Sequence, residues 1–284
     1  MGRMTIRLAT RGSKLALTQA GLVERSLNDL DVDVETVLVS TRGDRDQTTQ
    51  LTQLGGRGLF VKEVEQYLLD GKADIAVHSG KDLPYELEDG LVIAGVPQAA
   101  DCRDVLVSRK GFEAPAVIGT GSPRREVECR ALYPDARFEG IRGNVDTRLR
   151  KLREGQYDAV LLAKAGLDRL NADLSEFDVR VFDPETFLPA PCQGILAVEC
   201  RAGDAPVCEL LARISDPESR RRFDAERALF SRIQADCSVP LGVHCSVEPD
   251  GSLTLSALYE TNKTTRNGMD LETLCNEILQ ELGL

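Results

Sequence analysis

The chain is 284 residues long, with 42% hydrophobic residues and 46 acidic against 35 basic side chains, for a net charge of -11. That composition supports two or three globular domains and excludes intrinsic disorder, and its acidic balance disfavours general binding to nucleic acid or an anionic membrane. No stretch approaches the roughly 18 consecutive apolar residues of a membrane span, and the first residues carry no apolar run that could act as a signal peptide, so a cytoplasmic protein is expected.

Residues 5–9 read as a strand that passes through Thr10-Arg11-Gly12-Ser13 into a helix whose Ala16, Ala20, Val23 and Leu27 share one face, with Ser13 as its N-cap. A second strand is predicted over 34–39. Residues 41–58 form a polar loop, expected to be mobile, that ends in Gly55-Gly56-Arg57-Gly58. A helix is predicted over 59–69 with Phe60, Val64, Tyr67 and Leu68 inward and Gly71 past its end. Asp74 then opens an apolar strand that runs into Lys81-Asp82, placing a carboxylate at a strand's carboxyl end, where α/β sheets bind ligands.

The plan then repeats. A strand over 116–119 leads through Thr120-Gly121-Ser122 into a helix with Pro123 at its first position, so Ser122 takes the role of Ser13. Arg142-Gly143 precedes a helix that ends at Gly155, and Gly155-x-x-Asp158 opens the strand 159–163, as Gly71-x-x-Asp74 opens its counterpart. Two similar α/β domains around a central cleft are expected, with a hinge near residues 96–100 and a second crossover over 188–194. The strand 195–200 returns to the first domain. Asp216-Pro217 starts a long amphipathic helix, and a hairpin around Asp250-Gly251 and a closing helix over 271–282 complete a small α+β third domain. The expected boundaries are 1–97 with 190–206, then 98–189, then 207–284.

Arg124 and Arg125 fall in the first turn of a helix, where cations are unfavourable unless an anion is shared with the free amide groups. Arg148 lies about 40° around its helix from the apolar Leu152 and so borders the core. With Arg11 and Arg142 in turns of the same kind, five arginines point to a basic pocket for carboxylates or phosphates within an acidic protein. Lys81 adds charge there, and Asp82 beside it suits proton transfer. The eight cysteines form no close Cys-x-x-Cys pair and are expected as thiols. Cys237, His244 and Cys245 lack a clear fourth ligand, so no metal site is expected.

The stretches Ala9–Leu17, Gly55–Phe60, His78–Pro84, Gly119–Arg125, Arg142–Val145, Gln193-Gly194 and Cys237–Gly242 together resemble the porphobilinogen deaminase (hydroxymethylbilane synthase) family. The resemblance implies two periplasmic-binding-protein-like (type II) α/β domains plus the small α+β domain with an antiparallel sheet. It implies a transferase that joins porphobilinogen units head to tail into the linear tetrapyrrole hydroxymethylbilane, releasing ammonia. It further implies a dipyrromethane cofactor bound through a thioether to Cys237. By position, Asp82 is the catalytic carboxylate. Lys81, Ser13, Thr120, Ser122, Arg124, Arg125 and Arg142 hold the cofactor, and Arg11, Gln19, Arg148 and Arg169 hold substrate. A monomer with no nucleic-acid or membrane partner is expected.

Some positions depart from the family's usual pattern. Gly80 replaces a larger apolar residue, Gly121 and Pro123 replace a serine and a leucine, Cys192 replaces a glycine, and Gln53 stands where lysine is frequent. An impaired or redox-sensitive enzyme therefore stays open. So does a two-domain anion-binding receptor or regulator effector domain, although neither a secretory signal nor a helix-turn-helix supports it.

Overall fold

In the computed structural model, which describes residues 3–41, 61–235 and 238–284, the described strands form three sheets, of five, five and three strands. Gln53, Gly55 to Gly58, Phe60 and Cys237 lie outside the described residues. The chain divides into two compact units, Met1–Ala100 with Ile195–Phe223 and Asp101–Gly194 with Asp224–Leu284.

The first unit contains β1 (Met4–Arg11), α1 (Lys14–Asn28), β2 (Val32–Val39), α2 (Lys62–Leu69), β3 (Ile75–Ser79), β4 (Leu91–Gly95) and β10 (Leu196–Arg201). Sheet order is β2-β1-β3-β10-β4, with β1 parallel to β2 and β3, and β10 antiparallel to β3 and β4. β3 takes the centre because Ile75, Ala76 and Val77 are buried whichever face they point to, as expected of a strand covered on both sides. Ser13 caps α1 by accepting from the Ala16 amide at 3.2 Å. Helix α6 (Ala205–Arg213) sends Val207, Leu210 and Leu211 into the core of this unit, among Ile6, Leu8, Val23, Leu27 and Val198. The domain boundary expected at residue 207 thus falls inside a helix that belongs to the first core. Its amphipathic stripe marks it as a core helix but does not say which core it joins.

The second unit repeats the arrangement with β5 (Asp104–Arg109), β6 (Val117–Gly119), α3 (Pro123–Leu132), β7 (Arg137–Glu139), α4 (Val145–Arg153), β8 (Ala159–Ala163), α5 (Lys164–Arg169) and β9 (Phe177–Val181), in the order β7-β6-β8-β5-β9. Here β5 is the antiparallel neighbour of β8, as β10 is of β3. Each sheet is thus parallel β-α-β with one antiparallel return strand, the type II periplasmic-binding-protein-like arrangement. Helix α7 (Pro217–Ile233) precedes the third sheet, β11 (Leu241–Val247), β12 (Leu253–Tyr259) and β13 (Asn262–Gly268), and α8 (Leu271–Leu282) packs on it. Alternation in the sequence marks the β11–β12 hairpin but not β13, which is polar along its whole length and lies at the sheet edge.

The repeat rests on one clamp used twice. Asp74 accepts the Arg7 amide at 2.9 Å while its own amide donates to the Arg7 carbonyl at 2.8 Å. Asp158 does the same to Val117, at 2.9 Å in both directions. Each aspartate locks the start of the third strand to the first, and the preceding turn glycines, Gly71 and Gly155, sit at φ 66° and 76°. Asp158 also takes the Ala116 amide at 3.0 Å. Asp158→Ala therefore strands two amides and is expected to lower unfolding stability by about 1–3 kcal/mol with an unchanged urea m-value.

Candidate active site

β3 delivers Asp82. The strand ends at Ser79 and turns through one 3-10 turn, Gly80–Asp82, with the Gly80 amide donating to Ile195 O at 2.9 Å. Lys81 and Asp82 are exposed at its tip. Arg11, Ser13, Gln19, Val61, Val64, His78, Ser79 and Asp82 line one cavity of ≈ 60 Å³. The structure therefore brings Arg11, Ser13, Gln19 and Asp82 together within the first unit, while Lys81 is not among the cavity-lining residues. The Gln19 amide is engaged, donating to Ser79 Oγ at 2.9 Å, so Gln19 braces the cavity wall.

Sequence reasoning missed what lies behind this wall. His78 Nε2 sits 3.0 Å from Glu199 Oε2, and Glu199 is fully buried. Glu65 of α2 is buried as well, and Oε1 of each glutamate has no hydrogen-bond partner among the described residues. Burial pushes the Glu65 carboxyl up to about 7, with Glu199 adding to the shift and His78 opposing it. A glutamate on the apolar side of an amphipathic helix, next to Val64 and one turn from Leu68, was the available signal.

In the second unit Ser122 caps α3, with Pro123 at the first helical turn as expected, and Thr120 Oγ1 accepts the Ser122 amide at 3.2 Å. Arg124 and Arg125 both meet an anion of the protein itself. Both are buried, at 4% and 7% exposure, against Asp104, which is 0% exposed. Arg124 Nη1 meets Asp104 Oδ2 and Arg125 Nη2 meets Oδ1, each at 2.7 Å. Burial would push the Asp104 carboxyl up, but the two guanidiniums outweigh it and hold it at about 2. Gln193 joins this set, donating to Asp104 Oδ1 at 3.0 Å and to the Cys102 carbonyl at 2.7 Å. Cys192 before it stands at φ 59°, the left-handed region, which explains why glycine suits the position.

The other arginines are less committed. Burial pulls Arg148 down to about 10, and the like charges of Arg125 and Arg142 add to the shift. These three cations are therefore neighbours. Arg148 Nε donates to the Gly143 carbonyl at 2.8 Å, and Arg142 Nη1 is buried without a partner among the described residues. Arg169, which burial likewise lowers to about 10, donates from Nη2 to Gly194 O at 2.7 Å and leaves Nε buried and unpartnered. Buried guanidinium nitrogens without acceptors are costly, and an anionic group supplies what they lack.

Fold and site together define an α/β protein with a carboxylate at a strand end in one unit and a cluster of incompletely satisfied arginines in the other. Family models described as "Porphobilinogen deaminase, dipyromethane cofactor binding domain" and "Porphobilinogen deaminase, C-terminal domain" match residues 6–209 and 221–280. The chain belongs to the porphobilinogen deaminase family. It is 42% identical over 290 residues to porphobilinogen deaminase of Brevibacillus brevis, covering 97% of this chain and 93% of that one. It is 44% identical over 258 residues to that of Nitratidesulfovibrio vulgaris, covering 88% and 81% respectively. Among solved structures it is similar to the Bordetella pertussis BvgS periplasmic VFT2 domain, with 16% identity and a TM-score of 0.44, covering 81% of this chain and 93% of that one.

Two predictions follow from the buried charges. Asp104→Asn leaves two buried guanidiniums without their counter-ion and is expected to cost about 3–5 kcal/mol in urea unfolding. Glu65 holds its proton more tightly folded, at about 7, than unfolded, at about 4.3. Its contribution is therefore most favourable below about pH 4, where both states are protonated, and declines as pH rises towards 7. Glu65→Gln is expected to remove a decline on the order of 1–3 kcal/mol, read from unfolding midpoints across that window.

Proposed function

We propose that the chain joins porphobilinogen units head to tail into hydroxymethylbilane, with Asp82 as the proton-handling carboxylate and a dipyrromethane group held through a thioether to Cys237. The observation that carries this reading is the arginine set with buried, acceptor-less nitrogens on Arg142 and Arg169. Each pyrrole brings an acetate and a propionate, so a pyrrole chain fits such a set, and the dipyrromethane group supplies, when bound, the pyrrole carbon that is extended. Arg142, Arg148 and Arg169 hold carboxylates directly. Thr120 and Ser122 shape the start of α3 beside them. Arg124 and Arg125 act chiefly through charge, since two guanidiniums against Asp104 leave one net positive charge facing the bound carboxylates.

In the first unit Arg11 orients substrate carboxylates around Asp82, Ser13 and Lys81 hold those of the dipyrromethane group, and Gln19 keeps Ser79 in place. Asp82 passes a proton to the departing amine, stabilises the cation left on the substrate, and afterwards removes a proton from the newly bonded pyrrole carbon. A cytoplasmic monomer in tetrapyrrole biosynthesis, with the third sheet and its helices as a third domain bearing Cys237, completes the proposal.

Intact-mass measurement tests it first: an adduct of two linked pyrroles is expected on the purified chain and absent in Cys237→Ser, and an unmodified chain after incubation with porphobilinogen rejects the reading. Asp82→Glu is expected to keep the adduct but turn over slowly, and Asp82→Ala to lower kcat about 10²- to 10⁴-fold. Arg148→Leu is expected to weaken loading or elongation about tenfold, measured as adduct formation and as KM.

A further inference from the structure

We propose that Glu65, His78 and Glu199 form a buried proton-holding cluster that sets the charge behind the Asp82 cavity, making Glu65 a positioning residue for the reaction. The inference rests on Asp82 being the reacting carboxylate. His78 belongs to the cavity wall that Asp82 also lines, and its Nε2 reaches inward to Glu199 Oε2 at 3.0 Å. Glu199 comes from β10, the strand paired with β3, and Glu65 from α2, whose Val61 and Val64 flank the same cavity. The cluster thus reaches the cavity through the His78 ring, with both glutamates buried.

Glu199 meets the imidazole directly and Glu65 lies close enough for both to bear on its charge, in a place that excludes water. If both glutamates were ionised, unpartnered anionic oxygens would remain buried on Glu65 and Glu199. Keeping one exchangeable proton is the less costly arrangement, and Glu65 holds it. The groups facing Glu65 are Glu199 from β10, His78 from β3 and Glu88 from the segment before β4, whose backbone amide binds its carboxyl; Arg11, at the end of β1, carries the positive charge at the cavity. When the proton leaves to solvent, one negative charge is added behind the wall. That charge favours the cation produced as ammonia departs beside Asp82, and does little for the carboxylates held by arginine. A role confined to stability would instead shift the folded fraction with pH and leave kcat per folded molecule without that limb.

The test is the pH dependence of kcat for the cofactor-loaded enzyme, together with a carboxyl-carbon NMR titration of Glu65 that requires no turnover. Wild-type kcat is expected to rise through about pH 7, and Glu65→Gln to lose that limb, with kcat at high pH reduced about three- to tenfold and KM changed less than about twofold. Glu199→Gln, which removes the carboxylate opposing Glu65, is expected to move both the limb and the NMR midpoint to lower pH. A Glu65 midpoint below about 5 in the wild type, or a Glu65→Gln profile that keeps the limb, overturns the proposal. Should Glu65→Gln fail to fold, an NMR midpoint unmoved by Glu199→Gln overturns it equally. Wild-type turnover in Asp82→Ala defeats the underlying reading instead, and the NMR result stands apart from that outcome.

Discussion

One carboxylate set against two guanidiniums governs the second unit. Asp104, fully buried at the start of β5, binds Arg124 and Arg125 from the first turn of α3 and takes a third contact from Gln193. A buried aspartate alone would be neutralised by its own desolvation, and two buried arginines alone would not stay folded. Together they stand with a net positive charge. The same set ties the 188–194 segment to the sheet, because Arg124 also reaches the Leu188 carbonyl and Gln193 lies beside Gly194, the acceptor for Arg169. Arg148 lies close enough to Arg125 and Arg142 for their charges to bear on it, so this centre adjoins guanidiniums that lack full partners.

The two halves of the chain reach similar sheets by the same device. Asp74 and Asp158 each exchange hydrogen bonds with the strand that follows in space, and each sheet then receives an antiparallel neighbour from elsewhere in the chain, β10 in one and β5 in the other. The order places β3 at the centre of its sheet, buried along Ile75 to His78, and frees its carboxyl end for the Gly80–Asp82 turn. Gly80 is buried with its amide bonded to Ile195, which accounts for the turn's anchoring; nothing in the structure explains why glycine stands at this position.

The units also differ in how they treat buried charge. The second neutralises a carboxylate with excess guanidinium, whereas the first sets one imidazole against buried Glu199 and buries Glu65 as well. The result is excess positive charge in one unit and buried negative groups in the other.

Much of this was legible before any fold was known. Ser13, Ser122 and Asp216-Pro217 announce helix starts through capping chemistry. The Gly-x-x-Asp pairs announce the repeat, and the motif set from Ala9 to Gly242 carried the family. Local signals suffice there because a cap, a turn glycine or an apolar run records the conformation of its own neighbourhood. Arg124 and Arg125 show the limit: their place at a helix start was correctly read, but nothing local announces that they also meet Asp104, which lies 20 residues before Arg124 on β5. Glu65 likewise looks like one more charge on a helix until β3 and β10 close over it, and β13 hides because an edge strand has no apolar face to display. What the sequence by itself determined was where caps, turn glycines and apolar runs fall and which family they serve. What only the tertiary structure decided was which buried charges meet, because Coulomb and desolvation energies depend on distances between segments that no periodicity encodes.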